Sequence, residues 1–252
     1  MRIFREFRDW NREPSRKLVF VICVWALSVA GCDSESSSST AELNRERAAL
    51  VTQLEKRGIE DQRVLAALAA VPRHEFIPDA HRSRSYEDVD LPIGDGQTTF
   101  RPSRIARVLE ALELKGGESV LEVGTGSGFQ AALLTHLVDR VVTMEIREPL
   151  KRAAKEKLSR LNEAGVIDAK KVEFIVGDGS KGYPKGGPYD CILVSAASSE
   201  LPKELLAQLK EGGRLVIPVG QRIQELEIVH KGPGGQVRRE SIEPVRVPHL
   251  EE

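Results

Sequence analysis

Five short runs of apolar and β-branched residues alternate with helical or loop segments along the second half of the chain. They cover residues 119–123, 140–144, 172–176, 191–194 and 214–217. Alternation of strand and helix at this spacing is typical of a mostly parallel sheet that is covered by helices on both faces. The sequence therefore predicts an α/β, Rossmann-like doubly wound fold.

The segments on either side of this core extend the prediction. Residues 41–71 have a helical pattern of apolar positions, and Gly58 separates two helices. Residues 226–229 and 245–247 resemble strands joined by a turn at 232–235, which predicts an antiparallel edge at the C-terminal end of the sheet. Residues 72–101 are rich in Pro, Gly, Asp and Arg and show no sustained period. We expect an irregular loop there, and a loop of that length is a candidate for a functional site.

Three alternating glycines follow the first predicted strand and precede a predicted helix. Gly124, Gly126 and Gly128 let a ligand approach the backbone where a side chain would block it. The dinucleotide fingerprint needs its third glycine one position later, where Phe129 stands, so the pattern argues against NAD.

Acidic residues stand at the ends of three predicted strands. Glu122 precedes the first glycine by two positions and suits a cationic ligand better than a pyrophosphate. Glu145 is placed to accept both hydroxyl groups of a ribose. Asp178, with Gly179 beside it, is placed to accept a hydrogen bond from an adenine amine. Together these features predict S-adenosylmethionine as the cofactor, with Glu122 at its amino-acid end.

The first 31 residues differ in character from the rest. They carry six basic and three acidic side chains, and an apolar run extends from Leu18 to Ala30. As a helix this run would span about 20 Å, short of the roughly 30 Å of bilayer hydrocarbon. The pattern favours a secretory signal over a membrane span. Residues 29–32 also resemble the lipobox of bacterial lipoproteins, in which the cysteine, here Cys32, is acylated.

This N-terminal pattern sets the predicted organisation and location. We expect a signal at residues 1–31, a Ser-rich tether at 32–40 and a single domain at 41–252, with membrane attachment through Cys32 in the cell envelope. The alternatives are a buried helix of the fold or a true start near Leu43, which would leave the protein in the cytoplasm.

Composition excludes several classes of protein. The chain has 37 basic and 38 acidic residues, so it lacks the basic surplus of a protein that binds nucleic acid by neutralising phosphates. Its three cysteines do not form a disulfide framework, and Cys191 is expected alone within a strand. The histidines show no metal-ligand spacing, so we predict no metal.

Beyond the cofactor motif, the chain resembles the protein-L-isoaspartate O-methyltransferase family over roughly residues 45–250. Five segments carry the resemblance: 71–78, 86–88, 91–98, 189–197 and 212–220. The resemblance implies a class I methyltransferase, acting as a monomer, that methylates the abnormal carboxylate of isoaspartyl residues in damaged proteins or peptides and so begins their repair. It also implies that Gln224 lies near the cofactor.

One position departs from the family pattern. The family loop usually reads Gly-Gln-Thr-Ile-Ser, with the serine regarded as an active-site residue, whereas Phe100 occupies that position here. Thr98, Thr99 and Ser103 are candidates to replace the lost hydroxyl. Two alternatives to isoaspartyl repair therefore stay open. One is a cofactor-binding protein with reduced or lost turnover, and the other is a methyltransferase of another small carboxylate.

Overall fold

The computed structural model describes residues 40–251. Residues 40–56 are helical (α1), and the chain from Arg47 onward forms one compact unit. The predicted signal and residues 32–39 of the predicted tether lie outside the described residues. Within residues 40–251, no helix has the length and apolar character that crossing a membrane requires.

The first elements of the compact unit are short helices and a hairpin. Helix α2 (Gln62–Ala70) is followed by two 3-10 helices, Arg73–Phe76 and Asp79–Arg84. A short antiparallel hairpin then pairs β1 (Leu91–Gly94) with β2 (Gln97–Thr99), and helix α3 (Pro102–Ala111) completes this part. The two helices predicted around Gly58 are confirmed, and Gly58 itself has a φ of 93°.

A seven-stranded sheet forms the centre of the unit. Its strands are β3 (Ser119–Val123), β4 (Arg140–Glu145), β5 (Val172–Val176), β6 (Tyr189–Val194), β7 (Leu209–Val219), β8 (Gln224–Lys231) and β9 (Val237–Val245). They lie in the order β5-β4-β3-β6-β7-β8-β9. The first five strands in this order, β5 to β7, pair in parallel with their neighbours. Strands β8 and β9 are added at the edge in antiparallel pairing. The predicted α/β fold with an antiparallel C-terminal edge is confirmed.

Three further helices, α4 (Phe129–Leu137), α5 (Glu148–Glu163) and α6 (Lys203–Gln208), connect these strands. The connections from β3 lead to β4 and β5 on one side, and those from β6 lead to β7 on the other. In open α/β sheets, ligands bind outside the carboxyl ends of the strands at such a reversal of strand order. The fold therefore directs attention to the carboxyl ends of β3 and β6.

The structure corrects two predicted segments. Residues 72–101 contain two 3-10 helices and the β1–β2 hairpin rather than an irregular loop throughout. These elements are only three to six residues long, too short to produce a visible period. The last strand is Val237–Val245, not residues 245–247. Because its residues 237–241 are exposed and mostly polar, it lacks the apolar alternation that marked the other strands.

Candidate active site

An open cleft lies at the carboxyl ends of β3, β4 and β6. About 860 Å³ lies between its walls, a volume that includes the solvent at its mouth. The β1–β2 hairpin forms one wall, and the segment 246–251, which follows β9, forms another. The cleft is lined by several residues that the sequence suggested and by two of their neighbours, Gly177 and Ser195. The suggested residues are Thr98, Phe100, Gly124, Gly126, Glu145 and Gly179.

The glycine loop forms the floor of the cleft. Gly124, Gly126 and Gly128 all have positive φ angles, of 96°, 54° and 88°, which other residues adopt at a cost. Gly124 and Gly126 line the cleft. Gly128 serves packing instead, because a Cβ there would lie 2.9 Å from the side chain of Leu158 on α5. The structure thus separates the three predicted cofactor glycines into two at the cleft and one behind it.

Glu145 occupies the end of β4, as predicted, and its carboxylate holds the glycine loop. The side chain is only 7% exposed, yet it lines the cleft. Its Oε2 accepts from the backbone N–H of Gly126 at 2.9 Å, and its Oε1 accepts from that of Arg147 at 3.1 Å. A carboxylate has about four lone-pair sites, so acceptor capacity remains for hydroxyl groups of a ligand.

Asp178 and Gly179 follow β5, where the sequence placed them. Gly179 lines the cleft, and a Cβ there would come within 2.2 Å of Val123, so only glycine fits without displacement. Asp178 does not line the cleft. Its Oδ1 accepts from the N–H and hydroxyl of Ser180, at 2.9 and 2.7 Å, and it pairs with Lys181 at 2.9 Å. Burial alone would raise the pKa of Asp178, but these hydrogen bonds and the charge of Lys181 hold it below its ordinary value.

Glu122 is placed away from the cleft, which differs from the predicted contact with the amino-acid end of the cofactor. It is completely buried and accepts from the Thr143 hydroxyl at 2.6 Å and from Gln130 at 3.3 Å. Burial raises the pKa of Glu122 to about 8, although both hydrogen bonds act in the opposite direction. At neutral pH the group is therefore mostly uncharged, and it does not supply the attraction for an ammonium group that the sequence suggested.

The role of Glu122 is instead to support the glycine loop from behind. The hydroxyl groups of Thr143 and Thr125 lie 2.6 Å apart, which links Glu122 to the loop. On its other side, Gln130 donates to Glu122 and, at 3.5 Å, to the hydroxyl of Ser195 on the cleft wall. A satisfied buried network of this kind makes the loop rigid.

The hairpin brings two of the candidate hydroxyl groups to the site. Thr98 lines the main cleft and a smaller adjoining pocket, and Thr99 lines the adjoining pocket. Ser103 lines neither; its backbone N–H donates to Oδ1 of Asp88 at 2.8 Å, so Asp88 caps the start of α3. The structure therefore leaves Thr98 and Thr99 as neighbours of Phe100 in the site. Ser127, Gln130 and Ser195 line the adjoining pocket opposite them.

Phe100 lines both spaces and is held from two sides. Its carbonyl accepts from the buried guanidinium of Arg73 at 3.3 Å, and Arg73 also donates to the carbonyl of Ser85 at 2.6 Å. The ring lies 5.2 Å from the guanidinium carbon of Arg104, within range of a cation–π contact. Arg104 in turn donates to Glu243 on β9 at 2.8 Å. The aromatic ring is thus a built part of the wall.

The wall formed by residues 246–251 was not predicted. Gln224 does not line the cleft but fixes this wall: its amide accepts from the N–H of Val247 at 2.8 Å and donates to its carbonyl at 3.0 Å. The backbone of Ala197 pairs with Pro248 and Leu250 at 2.8 Å each. Nothing in the sequence of this segment marks it as part of a site. Ser195 did carry a signal, since it directly follows β6.

Arg147 connects the two walls across the mouth. Its guanidinium donates to the carbonyl of Asp95 in the hairpin turn at 3.0 Å and pairs with Glu251 at 2.5 Å. The pairing with Glu251 also raises the pKa of Arg147. Among residues 40–251, no group of three or more His, Cys, Asp and Glu side chains is arranged to hold a metal ion.

The strand order, the glycine loop beneath an acid at the end of β4 and the cleft at the switch point together define a Rossmann-like methyltransferase. The family model for protein-L-isoaspartate(D-aspartate) O-methyltransferase (PCMT) matches residues 44–251. The chain belongs to that family, and the predicted resemblance is confirmed.

Individual relatives agree. A protein-L-isoaspartate O-methyltransferase 1 of Cupriavidus necator is 43% identical over 224 residues, covering 87% of this chain and 84% of the relative. A protein-L-isoaspartate O-methyltransferase of Yersinia enterocolitica is also 43% identical, over 81% of this chain and 95% of its own length.

Solved structures agree as well. One protein-L-isoaspartate O-methyltransferase superposes with a TM-score of 0.73 at 31% identity, over 82% of this chain and 66% of the other. A Plasmodium falciparum protein assigned to the same activity, in complex with S-adenosyl-L-homocysteine, superposes with a TM-score of 0.68 at 26% identity. It is matched over 98% of its length, and over 81% of this chain.

Proposed function

We propose that this chain transfers a methyl group from S-adenosylmethionine to the carboxylate of L-isoaspartyl residues in damaged proteins. The observation that carries the proposal is one cleft that joins the glycine loop and Glu145 to the family-specific hairpin with Thr98 and Phe100. One side of the cleft has the features of a nucleoside site, and the other carries the loop that distinguishes this family.

The residues present fit the cofactor. Gly177 and Gly179 both line the cleft, so backbone without side chains faces it there, which suits a flat base lying against the wall. Glu145 offers acceptors for ribose hydroxyls, and Gly124 and Gly126 expose backbone to the rest of the molecule. We assign the methionine end to the adjoining pocket, where Ser127 and Gln130 supply polar groups, rather than to Glu122.

S-adenosylmethionine supplies a methyl group on positively charged sulfur. An isoaspartyl carboxylate has an ordinary pKa near 4 and is already ionised at neutral pH, so the site needs no general base. The residues of the chain then act by positioning and by excluding water. Esterification makes the carboxyl carbon reactive, and the neighbouring backbone nitrogen closes a succinimide with loss of methanol. Hydrolysis of that ring returns part of the residue to normal aspartate.

Phe100 favours a second candidate function, cofactor binding with reduced turnover. Its ring occupies the family serine position on the wall of both the cleft and the adjoining pocket. Loss of one hydroxyl contact to a charged substrate costs about 1.5–3 kcal/mol, which slows the reaction without abolishing it. Thr98 and Thr99 stand close enough in the same wall to contribute a replacement hydroxyl.

A single assay separates these candidates. The full chain is incubated with methyl-labelled S-adenosylmethionine and a pair of peptides that differ only in isoaspartyl or aspartyl at one position, beside Phe100→Ser. Ester on the isoaspartyl peptide alone supports the repair function. Cofactor binding without transfer, restored by Phe100→Ser, supports the second candidate. Absence of transfer by both forms, despite measured cofactor binding, refutes the repair function and directs the search to other carboxylates.

We also propose that the protein is a monomer, that residues 1–31 direct its export, and that Cys32 becomes its lipid anchor in the cell envelope. The support is the basic and apolar pattern followed by Cys32 and a Ser-rich tether. Metabolic labelling with a fatty acid tests this: Cys32→Ala should lose the label, whereas Cys23→Ala, inside the signal, should keep it. Label that survives Cys32→Ala, or no label in the unaltered chain, contradicts the anchor and favours the cytoplasm.

A further inference from the structure

The sequence contains two Asp-Gly pairs, Asp95-Gly96 and Asp178-Gly179. Glycine after aspartate exposes the backbone nitrogen because no Cβ shields it, and it leaves the backbone the freedom to bring that nitrogen to the carboxyl carbon. Each pair can in principle undergo the same rearrangement that creates isoaspartate in other proteins. The structure treats the two pairs very differently.

Asp95-Gly96 forms the turn of the β1–β2 hairpin and is exposed. Asp95 has a φ of 49° and Gly96 a φ of 69°, and nothing lies within 4 Å of the place where a Cβ of Gly96 would be. Among residues 40–251, no hydrogen bond or ion pair holds the Asp95 carboxylate, and its one charged neighbour is Arg147, whose pKa its negative charge helps to raise. The β2 strand that follows is three residues long and none of it is buried, so the contact from Arg147 to the Asp95 carbonyl is the main restraint on local opening of this turn.

Asp178-Gly179 is held in place. The Asp178 carboxylate is engaged by the N–H and hydroxyl of Ser180 and by Lys181, and its side chain is 15% exposed. Gly179 is buried and packs so closely against Val123 that a Cβ there would lie 2.2 Å from that side chain. The same dipeptide in the same molecule therefore serves as an internal control for exposure and restraint.

We propose that Asp95-Gly96 is a self-damage site: this chain forms isoaspartate in the wall of its own cleft. The Gly96 nitrogen attacks Cγ of Asp95, the new C–N bond closes a succinimide, and one water leaves. Water then adds back. Cleavage of the bond between the main-chain carbonyl carbon of Asp95 and the nitrogen leaves the chain running through Cγ, with that carbonyl converted to a free carboxylate. No oxidant or further reactant is needed.

The rearrangement acts directly on the contact that joins the two walls. The carbonyl of Asp95 accepts from Arg147, which also pairs with Glu251. After isomerisation this oxygen belongs to a carboxylate, and the backbone is longer by one methylene group. Arg147 then has two carboxylates competing for it, and the hairpin that carries Thr98 is displaced. Only an undamaged second copy can present an intact cleft to such a residue.

The test ages the full-length protein at physiological temperature and neutral pH without cofactor. Peptide mapping with fragmentation that distinguishes isoaspartate from aspartate follows both sites over time. Asp95→Glu is aged in parallel, because the longer side chain can close only a six-membered ring, which forms much more slowly. We expect isoaspartate at position 95 to accumulate at least about tenfold faster than at 178, the ratio that about 1.4 kcal/mol of extra restraint gives. Equal rates at the two sites, or no accumulation at 95, overturn the proposal.

A second readout adds labelled S-adenosylmethionine after ageing. Label on the peptide that contains position 95, rising with protein concentration, is the result expected from one copy acting on another. This readout alone rests on the proposed function, and a protein-L-isoaspartate O-methyltransferase of established activity is run beside it. If the established enzyme labels position 95 and this chain labels neither it nor an isoaspartyl peptide, the proposed function fails and the damage site stands.

Discussion

Glu145→Gln tests the assignment of the nucleoside site most directly. The change keeps the shape of the side chain but removes its charge and one of its two acceptor oxygens. In the unaltered protein, the carboxylate accepts from the N–H groups of Gly126 and Arg147. A glutamine retains one of these contacts, and its amide NH₂ faces the other donor, so one backbone N–H loses its partner while the ribose loses an acceptor.

The expected size of the effect follows from these contacts. A hydrogen bond to a charged group contributes about 1.5–3 kcal/mol, so loss of one weakens cofactor binding about ten- to a hundredfold. Isothermal titration with S-adenosylhomocysteine measures the dissociation constant without turnover. The KM for an isoaspartyl peptide, measured at saturating cofactor, should change much less, because the hairpin wall is left intact.

Glu148→Gln is the matched control. Glu148 begins α5 three residues after Glu145, does not line the cleft and pairs with Lys151 at 3.1 Å. Exposed pairs of this kind contribute about 0–1 kcal/mol, so cofactor affinity should be unchanged. A folded Glu145→Gln protein that binds the cofactor within about twofold of the parent would refute the assignment of Glu145.

Three further changes test other parts of the structure. Gly179→Ala forces a Cβ against Val123 and should cost about 1–3 kcal/mol, which lowers Tm by about 2–4 °C per kcal/mol, whereas Gly117→Ala, which meets nothing within 4 Å, should leave Tm unchanged. The raised pKa of Glu122 means that the folded state holds its proton more tightly, so the free energy of unfolding should fall between about pH 4.5 and pH 8. Urea titrations should show that Glu122→Gln removes this component, and an unchanged pH profile would contradict it. Gln224→Leu leaves both backbone groups of Val247 unpaired and should weaken cofactor binding, measured by the same titration, with no contact to the cofactor itself.

The fold was largely predictable because its signals are local. β-Branched runs and the glycine loop mark β3 and β5 at their observed bounds, and the acid at the end of β4 stands at the cleft. The sequence did not reveal on which face of the sheet an acid would lie. Successive strand residues point to opposite faces, so Glu122 faces α4 and Gln130 while Val123 lines the cleft.

The side-chain positions that the sequence did not indicate have one physical origin, the dependence of a side chain on partners far away in the chain. Asp178 and the Ser180 hydroxyl that donates to it are only two residues apart in the sequence. Whether the carboxylate turns toward the cleft nevertheless depends on tertiary packing. Gln224 positions Val247, a residue 23 positions later, through a pairing that no period or spacing encodes. The hairpin wall was predictable only as a family resemblance, because its strands are too short for pattern alone.

The wall formed by residues 246–251 has a consequence for the order in which the site becomes functional. Glu145 leaves the ribosome about a hundred residues ahead of this wall, which corresponds to roughly 5 to 20 seconds of synthesis. During that interval the growing chain holds the floor of the cleft without its far side, so the cofactor gives little help to early folding. A protease cut just before Arg246 would likewise remove the far wall of the cleft from a folded molecule, although all seven strands of the central sheet precede the cut.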